Sequence, residues 1–527
     1  MSSVDALTQV IQAQAKQIDQ LTAQLAHQAN ELKLLREQAE YLTQKLFGKS
    51  KESIPTDDNQ LSLFDAPEAP VPLEEEKETI TYHRKKSKGR KQAILHQFSE
   101  HPVHHELVGD ACACPTCETT MKEIGSYPVR EELVYIPAQL NRHVHYQHAY
   151  KCEGCSQKGM TDKIVKAPVP KAPMDNSLGS ASIIAQTIHQ KFSLKVPAYR
   201  QEEDWHRMGL PITRQHITNW HIKVSQYYLE PFYQVLKEKL VEQDILHADE
   251  TSYHVLESDT KKTYYWTFLS GKHSEHPITL YHHDASRGSH VAKDFLSHYK
   301  GYVHCDMWSA YQALEEAELA GCWAHVRRKF WEAMPKDCPA DAVSRQGVEA
   351  CDRFFRYERS WESLSPNDRL KKREEVLQPE MDNFFGWLRA QPVLSGSKLG
   401  TAIEYALKYE ATFRTVLKDN RLVLDNNRAE RAMKAFVTGR KNWLFSATFE
   451  GAKAAAVIMS LIETAKQNNL IPETYITYLL EELPNLEILA DSGKLEAYLP
   501  WHPTVQARCQ KNRKLKRNEQ EHTQHIR

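Results

Sequence analysis

Ile245-Leu246-His247-Ala248-Asp249-Glu250-Thr251 and Tyr302-Val303-His304-Cys305-Asp306 decide how this chain is read, because each sets an acid directly after a short apolar run. Runs of this kind, bounded by polar turns, predict buried strands. Around them the sequence predicts strands at Ile245 to Leu256, Thr263 to Leu269 and Pro277 to His283, then a helix from Gly288 to Tyr299. A strand at Tyr302 to Cys305, a helix from Trp308 to Leu319 and a strand from Gly321 to Val326 follow. Three antiparallel strands, helix, strand, helix, strand is an α/β order compatible with a ribonuclease-H-like core. From Arg328 to about Leu422 the pattern is helical and charged, which reads as an insertion. Helices are expected again from Asn426 to Val437 and from Glu450 to Gln467, with a separate segment from Gly439 to Phe445 between them.

Carboxylates at Asp249 and Asp306, on neighbouring strands of one sheet, converge where oxygen ligands can hold magnesium. A third acid on a following helix completes a site for two ions, one activating an oxygen nucleophile and one stabilising the leaving oxygen. Glu430, in Asp425-Asn426-Asn427-Arg428-Ala429-Glu430-Arg431, is the best third candidate; Asp425 fits an N-cap better, and Glu404 is a rival in the inserted region. Glu250 is expected on the opposite face of the strand from Asp249. His325, Arg327, Arg328 and Arg431 are candidate auxiliary groups, and Lys434, Arg440 and Lys441 candidate phosphate contacts, since transition-state charge and DNA phosphates both call for cations. Cys322 reads as strand packing.

Farther out, Cys114-Pro115-Thr116-Cys117 and Cys152-Glu153-Gly154-Cys155 form two knuckles separated by 34 residues. Four thiolates at two tight turns suit one structural zinc ion, and its binding supplies folding energy to a small unit. Cys112 is spare, and His143, His145 and His148 are possible substitutes that two complete knuckles make unnecessary. The start of the chain, with Val4, Leu7, Ile11, Gln14, Ile18, Leu21, Leu25, Gln28, Leu32, Leu35, Ala39, Leu42 and Leu46 at alternating spacings of three and four, reads as a coiled coil. A helix packed on the chain's own body is the alternative.

These features divide the chain into a leucine-zipper-like coiled coil (1–48), an acidic then basic linker (49–96), a zinc unit (97–170) and a helical region (175–243). A catalytic domain (244–470, insertion about 328–422), a small helical unit (471–503) and a basic, frayed tail (504–527) follow. In the helical region, helix Ala198 to Met208, a turn at Gly209 to Ile212 and helix Thr213 to Ser225 form a helix-turn-helix shape, a candidate for the major groove whose more frequent alternative is two helices packed in the core. The composition has 68 Lys and Arg against 69 Asp and Glu, for a net charge of −1, which excludes a uniformly basic surface. The balance is a sum of opposed regions. Residues 52–78 hold nine acids and one lysine, whereas Arg84, Lys85, Lys86, Lys88, Arg90 and Lys91 form a run without an acid, suited to phosphates. No stretch is apolar for the roughly 20 residues that span a bilayer, so a cytoplasmic, nucleoid-associated protein is expected.

At this point the residues resemble the transposases of the insertion sequence 66 family, of the DDE class. The likeness is carried by Ala248-Asp249-Glu250-Thr251, His304-Cys305-Asp306-Met307-Trp308-Ser309-Ala310-Tyr311, Gly321-Cys322-Trp323-Ala324-His325-Val326-Arg327-Arg328-Lys329-Phe330, Asp425 through Arg431 and Gly439-Arg440-Lys441-Asn442-Trp443-Leu444-Phe445. It continues through Ile462-Glu463-Thr464-Ala465-Lys466 to Leu499-Pro500-Trp501, and before the core it takes in Gln44 to Gly48, the knuckles and Tyr199 to Glu203. Met433-Lys434-Ala435-Phe436 lacks the proline usual in the family. The resemblance implies a ribonuclease-H-like domain with two Mg2+ (or Mn2+) ions on Asp249, Asp306 and Glu430, acting on double-stranded DNA at element ends and target. The coiled coil and the need to hold two element ends together point to a homodimer or larger homo-oligomer, with companion element-encoded proteins as candidate further partners. Two other readings compete. A catalytically silent, zinc-dependent DNA-binding regulator has no need of an acidic triad, and a ribonuclease-H-like nuclease needs neither zipper nor zinc unit.

Overall fold

The computed structural model describes residues 164–510 apart from 336–337 and 488–491. Before residue 164 it describes residues 14, 16–18, 20–22, 24, 100–105, 109–112, 115–117, 119–120, 122, 124–131, 133 and 138–151. The chain divides into two units, Met1–Gly48 with Gln147–Gln510, and Lys49–Tyr146 with Lys511–Arg527. The described residues between 14 and 24 are helical, with Ile18 and Leu21 exposed. The linker, the basic run Arg84 to Lys91, Cys114, Cys152, Cys155 and the cations after Gln510 lie outside the described residues. In the second unit, Gly109–Cys112 forms a short 3-10 turn and 115–117 a tight turn.

In the first unit, β1 (Ala149–Lys151) and β2 (Ile164–Lys166) form an antiparallel hairpin. Four helices follow: α1 (Ala181–Ile188), α2 (Ala198–Arg207), α3 (Arg214–Val224) and α4 (Glu230–Val241). Gly209 turns between α2 and α3 at φ +84°, a conformation that glycine reaches without the clash a Cβ would cause. Thr213 caps α3, its hydroxyl accepting from the His216 amide.

The core is one mixed sheet of five strands, β3 (Ile245–Tyr253), β4 (Thr263–Ser270), β5 (Thr279–Asp284), β6 (Tyr302–Cys305) and β7 (Glu318–Gly321), in the order β5-β4-β3-β6-β7. The first three are antiparallel, and β6 and β7 run parallel to β3. Helix α5 (Ser289–Phe295) makes the crossover from β5 to β6. The free edge of β5 is covered by α12 (Phe449–Gln467), whose Thr464 and Ser460 hydroxyls accept from the Thr279 and Tyr281 amides at 3.0 and 2.8 Å. A sheet edge buried without such acceptors would leave costly unpaired amides.

Three elements around the sheet differ in kind from the sequence reading. The expected helix from Trp308 to Leu319 is absent. Asp306 accepts the Trp308 amide at 2.9 Å, Met307 sits at φ +65°, and only a 3-10 turn forms at Tyr311–Ala313. The last strand is β7, ending at Gly321, and the run expected as a strand from Gly321 to Val326 starts α6 (Trp323–Glu332). Its buried residues Trp323, Val326 and Phe330 recur at helical spacing. Finally, α11 (Asn427–Trp443) is continuous through Gly439, because the glycine is buried under the Trp443 ring, where a Cβ would lie 2.2 Å away.

The insertion is helical: α7 (Val343–Ser360), α8 (Pro366–Lys372), α9 (Gln378–Arg389) and α10 (Lys398–Lys408). It joins the sheet through Trp323, fully buried among Phe354, Phe384, Phe385 and Phe413 at centroid distances of 4.9, 5.8, 5.8 and 5.2 Å. After α13 (Pro472–Glu482), α14 (Pro503–Cys509) replaces the expected fraying, with Val505 and Cys509 buried. Arg508, read as a tail cation, pairs with Glu481 at 2.6 Å and Glu482 at 3.1 Å. Among the described residues no helix is long and apolar enough to cross a membrane.

Candidate active site

β3 runs through Asp249 to Tyr253, pairing with β4 as far as Thr263, and stops short of the expected end at Leu256. The parallel pairing stops sooner, at His247 opposite His304. Asp249 therefore emerges two residues beyond the last β6 partner, and Asp306 directly follows β6. This places the two acids on adjacent strands. Strand alternation sends Glu250 elsewhere: its carboxylate accepts from Arg287 Nε at 2.9 Å and from the Tyr311 hydroxyl at 2.5 Å. Glu430 stands in the first turn of α11.

The carboxylates interact. Burial, then the charges of Glu250 and Asp306, push the Asp249 carboxyl well above its usual pKa, and Glu430 adds to the effect. Glu250 is raised by burial and by Asp306, against the pull of Tyr311 and Arg287. Glu430 Oε1 is buried without a hydrogen-bond partner and has only long contacts, 3.5 Å to Arg328 and 3.9 Å to His325 Nε2. Burial and then Arg328 lower the His325 pKa, while Asp306 and Glu430 act against them. Like charges held together in a partly dry site repel strongly, so this arrangement favours a bound cation.

Of the auxiliary candidates, His325 and Arg328 face Glu430, and Arg431 is exposed on α11. Arg327 turns to the insertion, where its Nε lies 2.6 Å from Asp352. Arg440, expected at phosphate, braces β3 by donating to Thr251 Oγ1 at 3.0 Å and to the Ser252 carbonyl. Lys434 and Lys441 are exposed. Glu404 lies on α10, exposed, accepting from the Ser395 hydroxyl.

Asn426, rather than Asp425, holds the N-cap position of α11. Its side chain leaves the helix amides and turns to the sheet, with Nδ2 donating to the Ala248 carbonyl at 2.7 Å and Oδ1 2.9 Å from His247 Nδ1. Its own amide donates to Cys322 Sγ at 3.2 Å. Buried Asn426 thus ties the start of the Glu430 helix to the strand residue before Asp249. His247 stacks on His304 at 4.4 Å, and burial drives both rings toward the neutral form, His247 to about 3. The Tyr405 hydroxyl donates to the Asp306 carbonyl at 2.9 Å. The sequence reading missed these four residues. Only the spacing of each histidine two residues before an acid hinted at a role.

Three carboxylates are hard oxygen donors suited to a divalent ion such as Mg2+ or Mn2+, and the unpartnered Glu430 oxygen and the repulsion at Asp249 fit one. As placed, no group of three His, Cys, Asp or Glu side chains among the described residues encloses an ion. For the knuckles, Cys117 ends the turn at 115–117 with its thiol exposed, and the donor set of four thiols suits zinc.

Comparison with known proteins agrees with this architecture. The chain is 26% identical to the uncharacterized protein y4jD of Sinorhizobium fredii (strain NBRC 101917 / NGR234) over 493 residues, covering 89% of this chain and 94% of the relative. It is 25% identical to y4hP of the same organism, covering 71% and 70%. Profiles described as "zinc-finger binding domain of transposase IS66", "IS66 C-terminal element" and "Transposase C of IS166 homeodomain" match residues 111–156, 460–501 and 34–101. The profile "Transposase IS66 family" matches residues 176–454, more than half of the chain and all of the sheet, and the chain therefore belongs to the IS66 transposase family.

Proposed function

We propose that this transposase cleaves DNA at the ends of its mobile element and joins the freed ends to target DNA, with Asp249, Asp306 and Glu430 holding two Mg2+ or Mn2+ ions. The observation that carries the reading is the Asp249 carboxyl, set among Glu250, Asp306 and Glu430, with neither Asp249 nor Asp306 in an ion pair among the described residues. Such a cluster opposes its own stability unless something positive binds. The sheet order, three antiparallel strands followed by two parallel ones, supports a ribonuclease-H-like core.

When bound, divalent ions would lower the cost of the charge that builds on the phosphorus and on the attacking and leaving oxygens. The protein residues do the remaining work. Arg328 offers a guanidinium to the phosphate beside Glu430, and His325, kept neutral by burial, offers a hydrogen-bonding nitrogen there. Asn426 and Tyr405 fix the backbones that carry the acids. Water attacks the end phosphodiester and frees a 3′-hydroxyl, which then attacks a target phosphodiester and displaces another 3′-hydroxyl. Neither reaction uses a protein nucleophile.

The other parts fit DNA handling. Cys114, Cys117, Cys152 and Cys155 hold one structural zinc. The α2-turn-α3 unit and the basic run Arg84, Lys85, Lys86, Lys88, Arg90 and Lys91 contact duplex DNA at the nucleoid. The first 48 residues pair two copies, and Ile18 and Leu21 are exposed as an unpartnered seam would be. The test is a magnesium-dependent cleavage assay on the DNA flanking the gene. Asp249→Asn, Asp306→Asn and Glu430→Gln should each lower cleavage by about 10³-fold or more while duplex binding persists. Full cleavage by any purified variant removes that residue from the site.

A further inference from the structure

At the C-terminal end of α11 the chain reverses through Leu444, at φ 62° and ψ −48°, with the Phe445 amide donating to the Trp443 carbonyl at 2.7 Å. This is a γ-turn of the hand that L-residues rarely take. Glycine would form it without strain, yet the position holds leucine, 64% exposed, followed by Phe445 at 42% and close to Leu256 at 54%. Backbone strain and solvent-exposed apolar side chains coincide at one tip, a combination that marks functional sites more often than random surface.

The tip is held firmly. Behind it, Trp443 folds over Gly439 and meets Phe192 edge-on at 6.0 Å. Beyond it, Ser446 donates to the His254 carbonyl at 3.1 Å and accepts from the Leu256 amide at 3.0 Å, and Glu257 donates to the Ala447 carbonyl at 3.1 Å. Leading to the tip, Arg431, Lys434 and Lys441 are exposed on α11, and at about 100° per residue they fall within an arc of about 80°. Glu430 borders that stripe. At 1.5 Å per residue, Leu444 lies about 20 Å along the helix from Glu430, on the order of six stacked base steps.

We propose that Leu444 and Phe445 form a wedge that enters duplex DNA between base pairs, about six steps from the phosphodiester that is cut, while Arg431, Lys434 and Lys441 follow the phosphates between. The inference rests on the DNA reading above. The cationic stripe selects duplex DNA as the occupant, since three apolar side chains are far too few for a stable protein interface. Inserted apolar side chains unstack a base step and kink the duplex, which would hold the element end bent toward the acids.

The test uses the full-length chain in EDTA with a duplex of the flanking DNA, 2-aminopurine being moved one position at a time, and cleavage mapped separately with Mg2+. Bound wild type should raise the fluorescence at a single step about six pairs from the cut. Leu444→Gly with Phe445→Ala should abolish that rise while affinity, by anisotropy, stays within about tenfold. Both positions are exposed, and a circular dichroism melt confirms folding. A rise retained in the double variant, or DNA bound and cleaved with no unstacked step, overturns the wedge alone. Failure to bind any duplex overturns the wedge and the DNA reading together. A smaller assembly of the double variant by sedimentation without DNA also overturns the wedge, because the tip would then be a contact between copies.

Discussion

Among the described residues, the charge cluster in the insertion and the one at the sheet are built on opposite terms. In the insertion, Glu358 is met by Arg373 at 2.6 Å and by Arg369, and Arg373, fully buried, gives its remaining protons to the carbonyls of Val416, Asp419 and Leu422. Burial alone would raise the Glu358 pKa, but the two guanidiniums overcome it and hold the carboxyl below its usual value. At the sheet, burial and the charges of Glu250, Asp306 and Glu430 push the Asp249 carboxyl the other way. Every charge in the first cluster has a partner within the protein, which makes it a structural fastening. The second is left short of positive charge, as a site that receives cations must be.

The largest effect should come from breaking the satisfied cluster. Arg373→Ala leaves Glu358 buried with only Arg369 and should cost about 3–5 kcal/mol in chemical denaturation; a loss below 1 kcal/mol would mean that water reaches Glu358. The next probes the unsatisfied cluster. Mg2+ at a hundredfold excess over its Kd should stabilise the wild type by about 2.7 kcal/mol and Asp249→Asn far less, with equal thermal shifts counting against Asp249 as a ligand.

Asn426→Ala tests the link between strand and helix. It strips partners from His247 Nδ1 and the Ala248 carbonyl and should cost about 2 kcal/mol, with cleavage reduced more than duplex binding. A stable variant with normal cleavage would show that the Glu430 helix is held by its apolar face alone.

The smallest effect is a contrast in pH dependence, on the order of a few degrees in Tm, read in EDTA. Glu358 has a lowered folded pKa, so it stabilises above its unfolded value of 4.5 and loses that contribution as pH falls. The penalty of Glu358→Gln should therefore shrink in acid. Asp249 has a raised folded pKa, so charging it costs stability as pH rises past 3.8. The gain from Asp249→Asn should grow with pH and vanish in acid. Parallel profiles for the two variants would erase the distinction between the clusters.

Much of this was legible in the residues. Apolar runs of strand length placed β3 to β6 to within a few residues, and the positions of Asp249 and Asp306 after such runs, and of Glu430 early on a following helix, singled the three acids out before any contact was known. The segment from Asp306 to Val326 was misread because its course depends on distant partners. Tyr311 is drawn to Glu250, 61 residues away, and Trp323 to the aromatic rings of the insertion. A local pattern cannot anticipate a helix withheld by such contacts. Likewise, Arg327, Arg328 and Arg440 are all cations beside a motif, and only their positions in space send one to Asp352, one to Glu430 and one to the β3 backbone.

The sequence by itself determined the family, the first four strands of the sheet, the inserted helices and which acids to suspect, since apolar periodicity and an acid placed after an apolar run are local features written along the chain. The tertiary structure decided how the acids are held and what the tip of α11 presents. Asn426 grips the strand instead of its own helix, and Leu444 is strained and exposed, because hydrogen-bond partners and burial are set by residues brought together from more than a hundred positions apart.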